Sequence, residues 1–530
     1  MKLLPQAFIR QCKRRPFRSK VADSTGADLT GGALLTRTLV LRRIFRRRVL
    51  ASEEKHVGLL LPPSVGAVVA NVALTLDRRI AVNLNYTVSS QVMDQCIELA
   101  GIRHVLTSRR FMEKVDYRLP VDVVYLEDLG EQATWVDKLV STVTAYAVPA
   151  RLIERALTLD RVDPDDVLTI IFTSGTTGVP KGVMLTYANI GANAAAIGQV
   201  VRLVSSDVVL GILPFFHSFG FTVTLWAVLT LDVKGAYHFD PLDARQIGKL
   251  CQQHHGTFLL STPTFLRTYL RRCTKEQLAS MEVVVAGAER LPADLCDAFE
   301  KKFGVRPVEG YGTTELSPLV SVNVPPTRSP TGPGAGMKEG TVGRPVPGVS
   351  VKIVDRETGE TLGTGESGML LATGPNVMKG YMNQPEKTAE VVREGWYVTG
   401  DVAFVDEEGF ITITGRESRF SKIGGEMVPH IQVEEALNKI VGGDQGEEVM
   451  IAVTAVPHAK KGERLVVLHT AIDKTPRQLC DALVATGLPK LYIPSPDSFH
   501  QVDVLPLLGT GKFDLKSLKQ MAIERFATEE

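Results

Sequence analysis

Ten consecutive residues, Thr173-Ser174-Gly175-Thr176-Thr177-Gly178-Val179-Pro180-Lys181-Gly182, hold the densest chemistry of this 530-residue chain. The glycines let the backbone turn sharply and approach a ligand closely. Backbone N–H groups, the hydroxyls of Thr173, Ser174, Thr176 and Thr177, and the Lys181 ammonium together suit anionic oxygens such as those of phosphate. The stretch is not a Walker A loop, because Pro180 precedes the lysine and Gly182 follows it. Its bland alternative is a glycine-rich surface turn. The run Val167–Phe172 directly ahead of it has the pattern of a buried strand, and ten residues of such composition right after a strand make the surface-turn reading a poor one.

The elements that must carry this loop are legible around it. VGLLL at 57–61, Ile80–Asn83, His104–Thr107 and Val121–Tyr125 read as short strands, with a helix over Gly66–Leu76 between the first two. Pro62-Pro63 ends the first strand. Thr186 is placed to cap a helix running to about Val201. Phe258–Ser261, Val283–Ala286 and Pro307–Glu309 are further strands. Strands alternating with helices imply an α/β fold with mostly parallel sheets. After about residue 340 short strands and Gly-rich turns take over, at Val349–Val354, Gly368–Ala372, Ala403–Val405 and Phe410–Thr414. A helix over Gln432–Ile440 and strands at Val449–Val456 and Arg464–Thr470 suggest a small α+β domain at the end. The stretch 325–340 is too rich in Pro and Gly for regular structure and reads as a surface loop.

Composition narrows the class. Apolar residues are 44% and charged residues 22%, the balance of a globular chain rather than a disordered one. Cys12, Cys96, Cys251, Cys273, Cys296 and Cys480 never form a CxxC pair, which argues against a zinc site or a disulfide framework and suits a reducing compartment. The start, MKLLPQAFIRQCKRRPF, lacks the pattern of a signal peptide. No run reaches the ~20 apolar residues of a spanning helix, and Val208–Leu231 reads as buried core or pocket wall. The expected location is therefore cytoplasmic, with peripheral contact at the cytoplasmic face of the membrane left open. The net charge of +1 hides thirteen Lys/Arg against two Asp in the first 50 residues, a balance of +11. The plain reading is a surface helix with a solvated basic face. The alternative is contact with anionic lipid or nucleic acid.

TSGTTGVPKG resembles the phosphate loop of the adenylate-forming superfamily, which includes acyl-CoA synthetases, peptide-synthetase adenylation domains and luciferases. Other stretches resemble that family's motifs, in its order. Gly310-Tyr311-Gly312-Thr313-Thr314-Glu315 is similar to the adenine and magnesium motif. Trp396-Tyr397-Val398-Thr399-Gly400-Asp401 is similar to the ribose motif, Gly415-Arg416 to the stretch joining two domains, and Gly509-Thr510-Gly511-Lys512 to the carboxy-terminal lysine motif. The resemblance covers about residues 50–520. It implies a large multi-subdomain N-terminal AMP-binding domain over 1–415 and a smaller, mobile α+β lid over 416–530.

The resemblance also implies roles. ATP and Mg²⁺ are the expected cofactors, with CoA or acyl carrier protein as acceptor. Glu315 is a hard oxygen ligand suited to Mg²⁺ bridging phosphates. Thr314 would bond the α-phosphate, Tyr311 would stack on adenine, and Gly287-Ala288-Glu289 would line the adenine pocket. Asp401 would accept the ribose hydroxyls, aided by Arg416. Lys512 would bridge the attacking carboxylate and the α-phosphate. Leu507 and Leu508 depart from that motif's usual Lys and Thr, while its Gly-Thr-Gly-Lys core is intact. Arg419 takes the place of the pivot, usually Asp or Lys, about which the lid rotates between half-reactions. Gly424 and Gly425 match the glycines lining the pantetheine channel.

Leu213-Pro214-Phe215-Phe216-His217-Ser218-Phe219-Gly220 resembles the segment gating the acyl pocket in fatty-acid members, and FTVTLWAVLTL after it extends an apolar wall. His217 would position the acid rather than act as base, since a carboxylate is already ionised at neutral pH. AVNLNYTVSS, LTSRRF and GRESRFSKIGGEMV resemble most closely the synthetase half of bacterial bifunctional enzymes that join acyl-acyl-carrier-protein synthetase to 2-acylglycerophosphoethanolamine acyltransferase. The acyltransferase half carries an HxxxxD motif. Here that spacing occurs at His238 and Asp243, where it reads as ordinary strand end and turn. The expected function is activation of a long-chain fatty acid to acyl-AMP with release of pyrophosphate, then transfer to a pantetheine thiol, with no nucleic-acid partner. Two alternatives stand beside it: a fatty-acyl-AMP ligase that stops at or passes on the adenylate, and a non-catalytic lipid- or nucleic-acid-binding protein.

Overall fold

The strand patterns VGLLL and VLTIIF lie in one sheet with Ile80–Asn83 between them. In this computed structural model the described residues are 3–115, 117–173, 180–330, 336–423, 426–441, 450–458, 462–507 and 513–526. The chain divides into two compact units. The first comprises Met1–Lys352, Leu371–Thr399 and Val405–Thr412, and the second Ile353–Leu370, Gly400–Phe404 and Ile413–Glu530.

Two large sheets build the first unit. One runs in the order Gly380–Tyr381, Lys181–Thr186, Val167–Thr173, Ile80–Asn83, His56–Leu59, His104–Thr107 and Asp122–Tyr125. From Val167–Thr173 onward its pairs are parallel. Its first two pairs are antiparallel. The other sheet has Ser19–Asp23, Lys234–Tyr237, Val208–Gly211, Phe258–Ser261, Val283–Ala286 and Val308–Gly312 in parallel, with antiparallel strands at both edges. Parallel strands buried on both faces explain the near-continuous apolar runs of the sequence. Val57, Leu59, Ala81 and Ile171 are buried on one sheet, and Leu210, Leu259 and Val284 on the other.

Local chemistry sets the helix starts. Thr186 accepts the Asn189 N–H at 3.1 Å and Asn189 returns a bond to the Thr186 N–H, starting helix Tyr187–Val200 as its sequence indicates. Ser64 caps helix Val65–Leu76 by accepting the Ala67 N–H. Asp243 caps helix Ala244–His254 by accepting the Gln246 N–H. That duty, with His238 Nδ1 2.6 Å from Ser24 Oγ, gives the HxxxxD pair an ordinary structural place.

The described residues of the 325–340 stretch form no helix or strand, as expected, and Arg328 within it is buried and bonds Asp207 and Glu282. The basic arm is less solvated than its composition suggests. Helix Leu4–Arg14 buries Leu4, Phe8, Ile9 and Cys12, and Arg10 pairs with Glu154. Lys20 is buried and donates to the carbonyls of Val228, Leu231 and Val233. Arg42 pairs with Asp77, and Arg43 and Arg47 with Asp137.

The second unit contains the α+β region expected at the end of the chain. Its sheet runs Glu426–Pro429, Phe420–Ile423, Gly462–His469 and Ile451–His458, with Phe499–Gln501 on Gly462–His469. Helices His430–Val441 and Pro476–Ala485 bury Val433, Leu437, Leu479 and Leu483 with Val453 and Val467. Helix Leu515–Phe526 buries Leu518, Ala522 and Phe526 with Ala452 and Val466. All six cysteines are buried and unbridged. No helix among the described residues is long and apolar enough to cross a membrane.

Candidate functional site

Val167–Thr173 and Lys181–Thr186 form an antiparallel hairpin in which Thr173 faces Lys181, so the hydroxyl-rich segment is the hairpin's connection. Ser174, Gly175, Thr176, Thr177 and Gly178 lie outside the described residues, as do Gly424, Gly425 and Lys512. On the other side of Lys181–Thr186, the short strand Gly380–Tyr381 pairs Tyr381 with Val183. That pairing carries Tyr381 to the lysine: Lys181 Nζ lies 5.0 Å from the centre of the Tyr381 ring.

The same tyrosine reaches the carboxylate. Tyr381 Oη donates to Glu315 Oε1 at 2.8 Å, and the Glu315 carbonyl accepts the Met378 N–H at 2.8 Å. Burial, reinforced by the neighbouring carboxylate charge, pushes the Tyr381 phenol well above its ordinary value. It therefore remains a donor at any physiological pH and holds the carboxylate in one orientation. Lys181, Tyr381 and Glu315 thus stand in a row: cation, ring, anion.

Thr313 and Thr314 sit between strand Val308–Gly312 and this carboxylate. Thr314 Oγ1 accepts from Ser218 Oγ at 3.3 Å. Thr313 Oγ1 is buried with no hydrogen-bond partner among the described residues. A Cβ on Gly312 would stand 2.0 Å from the Pro318 carbonyl oxygen, so only glycine permits this return of the chain. A Cβ on Gly287 would meet the Phe219 ring at 3.1 Å and the Gly310 carbonyl at 3.5 Å. The segment 213–220 therefore abuts strands Val283–Ala286 and Val308–Gly312.

Ala288 follows with φ +70°, a left-handed backbone that alanine adopts only under constraint. Glu289 accepts from Thr264 N–H and Oγ1 at the head of helix Pro263–Arg272, which gives it a structural duty beside the one expected of it. His217 is half-buried, its ring 4.5 Å from Phe216, which in turn meets Tyr86 edge-on at 4.7 Å. Beyond it, the stretch expected to extend an apolar wall winds as a π-helix over Gly220–Ala227. It holds two buried polar atoms, Thr222 Oγ1 and Trp226 Nε1, with no partner among the described residues.

In the second unit, Asp401 is in strand Trp396–Val405 rather than a turn, and Arg416 ends strand Ile411–Arg416. Arg416 Nε donates to Asp401 Oδ1 at 3.1 Å, which orients a largely buried carboxylate. Arg419 is buried and ion-paired with Glu434, whose other oxygen accepts the Val453 N–H at 2.6 Å.

The first unit therefore gathers Thr173, Lys181, Gly287, Gly310, Tyr311, Gly312, Thr313, Thr314 and Glu315 around the ends of its two sheets. Two contacts went unread in the sequence, although Ser218 lies within the 213–220 segment singled out there. Tyr381 is 66 positions from Glu315 and Ser218 is 96 from Thr314. Local spacing carries no signal for either.

The donor set fits Mg²⁺. This cation keeps several waters and takes one or two carboxylates beside substrate phosphates, rather than a protein cage. Glu315, with one oxygen anchored by Tyr381, provides such a carboxylate. No group of three metal-ligating side chains occurs among the described residues.

A hairpin on one α/β sheet stands beside a glycine-threonine-glutamate turn at the end of a strand on another, joined through Tyr381. The chain belongs to the AMP-binding enzyme family, whose model matches residues 8–382. It is 34% identical over 370 residues to a long-chain-fatty-acid–CoA ligase of Bacillus subtilis, covering 67% of this chain and 62% of that relative, less than two thirds of its length. It is 27% identical over 496 residues to a long-chain-fatty-acid–CoA ligase of Escherichia coli O157:H7, covering 88% and 85%. Among solved structures, ATP-bound MatB from Rhodopseudomonas palustris is 26% identical with a TM-score of 0.78 over 97% of this chain and 98% of that one. An o-succinylbenzoate CoA synthetase from Bacillus subtilis, in complex with its acyl-adenylate, shares the fold at 22% identity and TM-score 0.80, over 98% and 99%.

Proposed function

We propose that this chain activates a long-chain fatty acid with ATP and transfers the acyl group to a pantetheine thiol, that of CoA or of acyl carrier protein. The observation carrying this reading is the Lys181–Tyr381–Glu315 row beside the phosphate-loop hairpin. Fatty-acid ligases among the relatives support the choice of acid.

In the first half-reaction a carboxylate oxygen attacks the α-phosphorus. The P–O bond to the β-phosphate breaks, and pyrophosphate leaves with the electron pair. Two anions must meet, so fixed positive charge and oriented donors are the main requirement. Thr173, Ser174, Thr176, Thr177, the backbone of Gly175 and Gly178, and Lys181 hold the β- and γ-phosphates. Thr314 and Lys512 attend the α-phosphate and the incoming carboxylate. Glu315 holds Mg²⁺, which when bound neutralises phosphate charge. Tyr311 and the Gly287–Glu289 segment enclose adenine, and Asp401 with Arg416 takes the ribose.

In the second half-reaction the thiol sulfur attacks the acyl carbon, its proton is lost, and AMP departs. The reading divides the chain at 415/416, with Arg419 as the pivot and Gly424-Gly425 along the thiol channel. Peripheral contact with anionic membrane belongs to the same reading, since that is where long-chain acids collect.

ATP–pyrophosphate exchange over a fatty acid length series, followed by product identification with CoA and with acyl carrier protein, tests the proposal. Exchange that requires added fatty acid is expected. Exchange absent with every acid would overturn it, and adenylate without thioester would replace it with an acyl-AMP ligase.

A further inference from the structure

Helix Trp135–Ala147 is inside out. Its inward positions are Asp137, Ser141 and Ala145, all buried. Its large apolar residues face solvent: Trp135 is 74% exposed, Leu139 54% and Val143 50%, with Val136, Val140 and Tyr146 also exposed. At about 100° per residue the exposed apolar set spans roughly 140°, opposite the buried set. Isolated surface leucines are ordinary, but one continuous apolar helix face signals an interaction site. Phe17, 81% exposed, extends the patch with its ring 5.6 Å from that of Tyr146.

The inversion is locked from beneath. Asp137 accepts from Arg43 and Arg47, and closes a capping box with Thr134. Its charge is thus consumed within the fold, so the helix shows solvent only the charge of Lys138. The surround is mostly basic. Lys13 donates to the carbonyls of Ala145 and Tyr146 at the end of the helix. Arg14 and Arg15 are exposed just ahead of Phe17, and Arg46, Arg47 and Arg48 are exposed beside the Asp137 anchor. Arg151 and Arg155 follow on helix Ala150–Ala156, where Leu152 is also exposed. The acidic groups nearby are mostly paired: Asp232 with Arg15 and Arg18, and Asp77 with Arg42 and Arg46. Glu154 is buried against Arg10, Asp128 pairs with Arg109, and Glu127 and Glu131 lie in the preceding helix.

We infer that the outward face of helix Trp135–Ala147, framed by these arginines and lysines, is a docking surface for an anionic bilayer, with the helix lying in the plane of the headgroups. An apolar stripe about 20 Å long with aromatic residues at its two ends and cations along its flanks has the makings of an interfacial helix. A second copy of the chain is the poorer occupant, because self-pairing would bring two basic rims together. The surface rests on the proposed function for its purpose, meeting an acid dissolved in membrane, and not for its existence.

Flotation with phosphatidylcholine–phosphatidylglycerol vesicles against pure phosphatidylcholine tests it, using the full chain and the variant Leu139→Glu/Val143→Glu. Binding to the anionic vesicles alone is expected, with a blue shift of Trp135 emission that is lost in Trp135→Phe. The double variant should bind at least about tenfold more weakly, since burying each apolar side chain contributes more than a factor of ten. Its thermal melt should be unchanged, since both positions are exposed. Fatty-acid-dependent exchange, measured with a short soluble acid and no vesicles, reports on the ligase reading separately. Absence of vesicle binding, or binding equal in wild type and variant, overturns the inference. So does a dimer in light scattering that the double variant dissolves without any vesicle binding, which would assign the face to a second copy.

Discussion

Glu315 and Tyr381 are the residues on which the site's electrostatics turn. A hydrogen bond to a charged group is worth about 1.5–3 kcal/mol, and here it aims a carboxylate rather than merely adding stability. Tyr381→Phe should therefore raise the Mg²⁺ concentration needed for half-maximal exchange by about tenfold or more, with the melting temperature little changed. An unaltered Mg²⁺ dependence would show that Glu315 needs no such aim. Ala288 offers a contrasting test. Its left-handed backbone costs roughly 1–2 kcal/mol in an L-residue, which Ala288→Gly would relieve, less the extra freedom glycine has when unfolded. A net gain of about 0.5–1 kcal/mol in urea unfolding is expected, and a loss would mean the alanine methyl has a packing role.

At the scale of the element, the helix starts were readable because capping chemistry is local. Thr186 and Asn189 are three positions apart and bond each other reciprocally. The Asp137 cap is different, because it also anchors two arginines from another helix. Those bonds hold its carboxyl well below the usual range, Arg47 contributing most. A depressed carboxyl pKa stabilises the fold above its unfolded value, and that stabilisation disappears as pH falls through the folded value. Asp137→Asn should accordingly lower stability by about 2–3 kcal/mol at neutral pH and narrow the gap from wild type in strong acid, as read by thermal melts across pH. A gap independent of pH would sink the assignment.

At the scale of the molecule, the second unit carries a proton-linked term. His430 lies under burial and beside Arg419, which lower its pKa from 6.5 to about 3. Above 6.5 both states are neutral and no term arises. Between 6.5 and about 3 the unfolded chain binds a proton that the folded one refuses, so stability falls with pH at up to about 1.4 kcal/mol per unit. Hydrogen exchange in helix His430–Val441, taken relative to the intrinsic amide rate at each pH, should show protection that declines toward pH 5 in wild type and declines less in His430→Gln. The proposed pivot is tested on the same scaffold. Arg419→Pro should preserve acyl-AMP formation while thioester output falls. Glu434→Gln breaks the buried pair without stiffening the backbone and should spare both steps. If it mimics Arg419→Pro, loss of the ion pair and not of the pivot explains the effect.

What the sequence determined by itself is whatever depends on neighbours along the chain. The buried strands, the Thr186 cap, the glycine and hydroxyl content of the loop at 173–182 and the Gly310–Glu315 motif are local, so period and residue type suffice to find them. The tertiary structure decided the rest, because it rests on groups far apart in sequence. Only the pairing of Gly380–Tyr381 with Lys181–Thr186 sets a phenol between Lys181 and Glu315. Only the ion pairs to Asp77, Asp137 and Glu154 show how much of the basic arm is structural. Helix Trp135–Ala147 turns its apolar face outward, with Asp137 held beneath it by two arginines. Sequence records that Trp135, Leu139 and Val143 share one face of a helix. Which way that face looks was settled by the arginines that reach the other.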